Sequence, residues 1–142
     1  MTYTVKRLRH LGTGDENFLA AMATKNNEAY GNPYDWYDFD FQNFCDKHVA
    51  FMCYRDDVPV GIIAGRFGTS VFDPGLKVLR QTVFWTVPGT RAVKLLLEEF
   101  IDFGKSNADH ILTSIGTETN LKPESLEKLG FKKLETLYRL EN

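Results

Sequence analysis

The chain has 142 residues, of which 43% are hydrophobic and 25% charged. That is enough to bury roughly two-thirds of the unfolded surface in one compact domain, so residues 1–142 are expected to form a single unit. A net charge of −2 gives no overall attraction for a polyanion and argues against nucleic acid as a partner, although it leaves room for a local basic patch.

Two cysteines, Cys45 and Cys53, are too few for a disulfide scaffold and fit a reducing, cytoplasmic setting. Cys45 and His48 form a C-x-x-H pair, but a zinc site needs a second pair of ligands, and only His10 and His110 remain, without matching spacing. No metal site is expected. Met1 to His10 alternates polar and apolar residues and carries no apolar run of signal-peptide length, and no stretch reaches the length of a membrane span.

Thr2 to Leu8 alternates with period two and predicts a first strand, closed by Gly12 and Gly14. Asp15 is suited to cap a helix in which Phe18, Leu19 and Met22 recur at helical spacing as far as about Lys25, with Asn26 and Asn27 ending it. Asn32 to Phe41 interleaves six aromatic or proline residues with Asp35, Asp38 and Asp40. Pro33 marks a turn or helix start, and Trp36, Phe39 and Phe44 fall on one helical face. That stretch is either a helix packed on a sheet or an aromatic and acidic surface suited to an amine or a protein.

Val49 to Arg55 and Val58 to Phe67, joined by Asp56-Asp57, predict a hairpin. Pro59 belongs at a strand start or edge, and Gly61 and Gly65 mark a bulge or a close backbone approach. After a turn at Phe72 to Gly75, Leu76 to Val87 predicts a strand whose apolar second half is covered on both faces. Val93, Leu96, Leu97, Phe100, Ile101 and Gly104 then define the buried stripe of a helix over Arg91 to Ser106. Ile111 to Ile115 predicts another strand, Glu124 to Leu129 a short helix ended by Gly130, and Lys132 to Leu140 a closing strand. Antiparallel strands followed by a β-α-β unit give an α/β (α+β) fold, with a mixed, mostly antiparallel sheet of about six strands and helices on both faces.

This order resembles the GNAT superfamily of N-acetyltransferases over essentially the whole chain: an antiparallel meander before a long helix, then a strand, a short helix ending Leu129-Gly130-Phe131 and a last strand. From Leu79 to Tyr138 the chain looks most like the small GNAT-like proteins of tailed phages. The resemblance implies an acetyl-CoA-dependent acyltransferase acting on an amine of a small molecule or a protein, located in a host cytoplasm or a virion. Its alternative is an inactive GNAT-shaped interaction protein, a homodimer or part of a virion, in assembly or in binding a host component.

The family's phosphate loop reads Gln/Arg-x-x-Gly-x-Gly/Ala, and here the corresponding residues are Pro88-Gly89-Thr90-Arg91-Ala92-Val93. Pro88, Arg91 and Val93 depart from it. A helix N-terminus attracts anions through free N–H groups, and Arg91 and Lys94 add positive charge. The resemblance assigns cofactor contacts to Trp85, Val87, Gly89, Thr90, Arg91, Ala92, Val93, Lys94 and Asn120. From Pro74 to Leu97 there is no acidic residue, so the nearest candidate base is Glu118. Leu126 stands where many relatives place the tyrosine that protonates the leaving thiolate.

Overall fold

The computed structural model describes residues 1–30, 40–70, 73–115, 121–135, 138 and 140; the side chains of residues 26–30 and 41 are outside the description. Five strands form one sheet in chain order. They are β1 (Tyr3–Arg7), β2 (Val49–Arg55), β3 (Val58–Thr69), β4 (Lys77–Thr86) and β5 (His110–Leu112). The helices are α1 (Thr13–Tyr30), α2 (Phe41–Lys47), α3 (Ala92–Asn107) and α4 (Pro123–Lys128).

Successive pairs from β1 to β4 are antiparallel, while β4 and β5 are parallel. The β2–β3 hairpin turns through Asp56 and Asp57, both at positive φ (49° and 65°), the geometry of a two-residue turn matched to strand twist. Its central strands are buried on both sides because alternate residues serve different cores. Val49, Phe51 and Cys53 join the core beneath α3 and α4. Ala50 and Met52 join Leu19 of α1 and Phe44 of α2 on the other face.

Two glycines let α3 lie close to the sheet. A Cβ on Gly61 would stand 2.9 Å from the Ala92 Cβ and the Leu96 Cδ1, and one on Gly65 would stand 2.7 Å from the Phe100 ring. Gly65 also sits where the β3–β4 register shifts, so both meanings expected of these glycines, bulge and close approach, are present. The stripe Leu96, Leu97, Phe100, Ile101 and Gly104 is buried as its spacing requires.

Several boundaries differ from expectation. Helix α1 runs through Asn26 and Asn27 to Tyr30, since asparagine costs a helix well under about 1 kcal/mol and the backbone bonds continue. Asp15 lies within its first turn, and its Oδ2 accepts from the Gly12 N–H at 3.1 Å. Helix α2 is capped by Asp40, whose side chain accepts from the Asn43 N–H at 2.9 Å. Pro33, Asp35, Trp36, Asp38 and Phe39 fall outside the described residues.

The expected closing strand is corrected: residues 132–135 form no strand, and the sheet has five strands among the described residues. Period-two patterning needs a neighbouring edge and an apolar face to cover. Of the two sheet edges, β5 is three residues long and β1 five, and Leu134 is 77% exposed. Among the described residues no helix is long and apolar enough to cross a membrane.

Candidate functional site

The start of α3 is built from the end of β4. Past Thr86 the chain stays tied to β3 by one bond, Val87 N–H to the Val60 carbonyl (2.8 Å). It then turns through Gly89 at φ +78°, where a Cβ would meet open space. The Thr90 hydroxyl donates to the Val87 carbonyl at 2.7 Å and lies 3.4 Å from the Ala92 N–H. Arg91 occupies the cap position with no side-chain bond to the helix start, so of the first-turn amides of α3 the Ala92 N–H meets the Thr90 hydroxyl and the next ones are left to solvent or a ligand. The Arg91 N–H points at the Tyr3 hydroxyl (3.4 Å), and the Arg91 guanidinium lies 6.0 Å from the Tyr3 ring centre.

Along β4 the pairing with β5 stops short of this turn. The β4–β5 ladder consists of Val78 with His110, Leu79 with Ile111 and Arg80 with Leu112, so the strand expected over Ile111 to Ile115 keeps its sheet partner only at its beginning. From Gln81 onward β4 has no β5 residue in register. The buried Gln81 side chain takes over: its Oε1 accepts from the Ser114 N–H at 3.0 Å and the Thr113 hydroxyl at 3.1 Å. The parallel ladder thus ends after three pairs, and the next two residues, Thr113 and Ser114, are held to β4 through the Gln81 side chain.

The sequence-assigned residues divide between positions. Gly89, Thr90, Arg91, Ala92 and Lys94 gather at the helix start. Ala92 is fully buried, and Val93 and Val87 pack against the core under α3, so part of Val93's bulk leans inward. Lys94 lies 3.9 Å from Glu98 in a well-exposed pair, an arrangement worth little and easily given up to another anion. Trp85 packs on the opposite face, against the core beneath α1 and α2, and is not brought together with α3. Glu118 and Asn120 lie outside the described residues. Leu126 is buried in the core.

Sequence reasoning missed Gln81, Tyr3 and a pair on α1 and β2. The Tyr54 hydroxyl donates to the Asp15 Oδ1 at 2.7 Å, and burial, then this bond and the carboxylate's charge, push the phenol well above its ordinary range. Gln81 sits in the polar run Arg80-Gln81-Thr82, so patterning does not single it out, and the other contacts join residues too distant in sequence to leave a signal. Cys45 and His48 line a common hollow, yet His48 Nδ1 is engaged with the Phe44 carbonyl at 3.0 Å. Among the described residues no group of three potential ligands forms.

No family model matches the chain, and no curated protein matches it in sequence. Solved structures do match in fold. A transcriptional regulator from Bacillus halodurans C-125 superposes with a TM-score of 0.76 at 15% identity, covering 99% of this chain and 100% of that one. The aminoglycoside N-acetyltransferase AAC(6')-Iy, bound to a bisubstrate analogue of CoA, gives 0.69 at 13% identity over 100% and 99%. A ribosomal-protein-alanine N-acetyltransferase from Brucella melitensis biovar Abortus gives 0.67 at 12% over the full length of both. The chain therefore has the GNAT-type fold.

Proposed function

We propose that this chain is an acetyl-CoA-dependent N-acyltransferase whose acceptor is an amine of a small molecule or a protein. The observation carrying this reading is the end of the β4–β5 ladder after three residue pairs, together with an α3 start whose cap residue makes no side-chain bond to the helix and which carries the cationic residues Arg91 and Lys94. The fold neighbours support it, because they include acetyltransferases and one structure holding CoA.

The residues present fit the group. Gly89 keeps the turn small and open, and the first-turn amides with Arg91 and Lys94 would hold the pyrophosphate. Bound acetyl-CoA would supply an acetyl thioester. The acceptor nitrogen must lose a proton as it acylates, and Glu118 is the group assigned to take it, directly or through water. With Leu126 buried, no tyrosine stands at that position to protonate the departing thiolate, and solvent is left as its proton source.

That substitution, with the acid-free stretch from Pro74 to Leu97, favours a second reading. In it the chain is a phage-type GNAT-shaped interaction protein that no longer turns over. Calorimetry with acetyl-CoA tests the first. Wild type should bind, and Arg91→Glu should weaken binding by about 1–3 kcal/mol through a lost charge-assisted contact and added repulsion. No binding at millimolar acetyl-CoA would discard the acyltransferase and leave the interaction protein.

A further inference from the structure

The opposite end of the sheet carries a concave surface that acetyl transfer does not use. Arg7 ends β1, Val49 begins β2 and Phe67 lies near the end of β3, while α3 starts beside Gly61 at the far end of that strand. Between these strand ends and the last turn of α2 is a hollow of about 480 Å³, within the usual size of a small-molecule site, roughly 300–1,000 Å³. Arg7, Arg9 and Lys47 line it with His10 and His48, and Asp46 is the one carboxylate on its described wall.

In a chain of net charge −2, three full positive charges around one cavity are a local excess. Among the described residues none of the three is in an ion pair. Asp46 is already an acceptor for the Gln42 amide at 3.0 Å. Arg7 is braced by its guanidinium lying 5.1 Å from the Phe103 ring centre, and burial together with Arg9 destabilises its charge. Like charges held together without counter-charges repel, and a bound anion relieves that repulsion.

We propose that this hollow binds a small polyphosphate anion. One carboxylate would leave most of the charge uncompensated, whereas a chain of phosphoryl groups offers several acceptors to two guanidinium forks and an ammonium. Three of the chain's cations line one cavity, which favours a compact ligand that can enter it over an RNA strand. This site does not depend on acetyl transfer.

The test is calorimetric titration of the full chain with inorganic triphosphate at low salt, where electrostatic contacts are least screened. Saturable binding is expected, weakened about tenfold or more when two of the three exposed cations are neutralised in Arg9→Gln/Lys47→Gln, and unchanged in Lys128→Gln, an exposed cation of α4 that does not line the hollow. Both double-variant positions are exposed, so thermal melting should match wild type. Absence of binding at millimolar triphosphate would overturn the proposal. So would binding that survives the double substitution but is lost in Arg91→Glu, or a short single-stranded RNA that binds where triphosphate does not.

Discussion

Asp15 joins two elements with one carboxylate. Its Oδ2 accepts from the Gly12 N–H at 3.1 Å and its Oδ1 from the Tyr54 hydroxyl at 2.7 Å, so the start of α1 is fastened both to the preceding turn and to β2. An acid at the helix start was legible, though as the cap itself; the structure instead places Asp15 in the first turn of α1, reaching back to the Gly12 N–H. The bond to Tyr54 was not legible, because Tyr54 lies 39 positions away and alternation in β2 says only that it faces the α1 side. Tyr54→Phe should cost about 1 kcal/mol in denaturant melts, the usual net worth of such a bond. The same residue sets an alkaline limit. Its folded-state pKa is raised above the ordinary 10.0, so the stabilisation is complete below pH 10 and is lost as the unfolded chain ionises above it. Wild type should lose stability above pH 10 more steeply than Tyr54→Phe, and parallel pH profiles would refute the assignment.

At the scale of elements, α3 was the most legible part of the chain. Apolar residues at i, i+3, i+4, i+7 and i+8 fix both the helix and its buried face, and Leu96 and Phe100 are fully buried. Leu96→Asp or Phe100→Asp places an unpaired charge there and should abolish soluble expression; normal expression with normal melting would contradict that role. The seat of the helix was harder to anticipate, because Gly61 and Gly65 signal close approach without naming what approaches. Gly61→Ala forces a carbon within 2.9 Å of the Ala92 Cβ, so α3 must shift, at a cost of about 1–3 kcal/mol by overpacking. Denaturant melts measure that loss. Calorimetry should show a drop in acetyl-CoA affinity as well, since the displaced end is the proposed binding end. The closing strand shows where patterning fails: Lys132 to Leu140 has period-two character, but alternation does not say whether an edge exists to receive it.

Across the whole molecule, the front-to-back order of the chain becomes a mechanical arrangement. Antiparallel pairing makes a platform from β1 to β4, and the crossover through α3 returns a strand that pairs with β4 over three residues. The order was legible as antiparallel strands followed by a β-α-β unit, and the GNAT-type fold follows from it. The residue that takes over where the ladder ends was not, because Gln81 reads in the sequence as one of three consecutive polar residues, Arg80-Gln81-Thr82, with nothing to single it out. Its Oε1 holds the Ser114 N–H and the Thr113 hydroxyl just past the last ladder pair. Gln81→Met keeps similar bulk and removes the acceptor, leaving the backbone donor of Ser114 to find water. The expected loss of stability is about 1–2 kcal/mol, read as a lower denaturant midpoint. If acetyl-CoA lies where the ladder ends, the loosened strand should also reduce the rise in melting temperature that a ligand bound only to the folded state produces. A variant with unchanged stability would remove Gln81 from this role. One that is destabilised yet shows the full ligand-induced rise would separate the end of the ladder from binding and place the pyrophosphate contacts at α3's start alone.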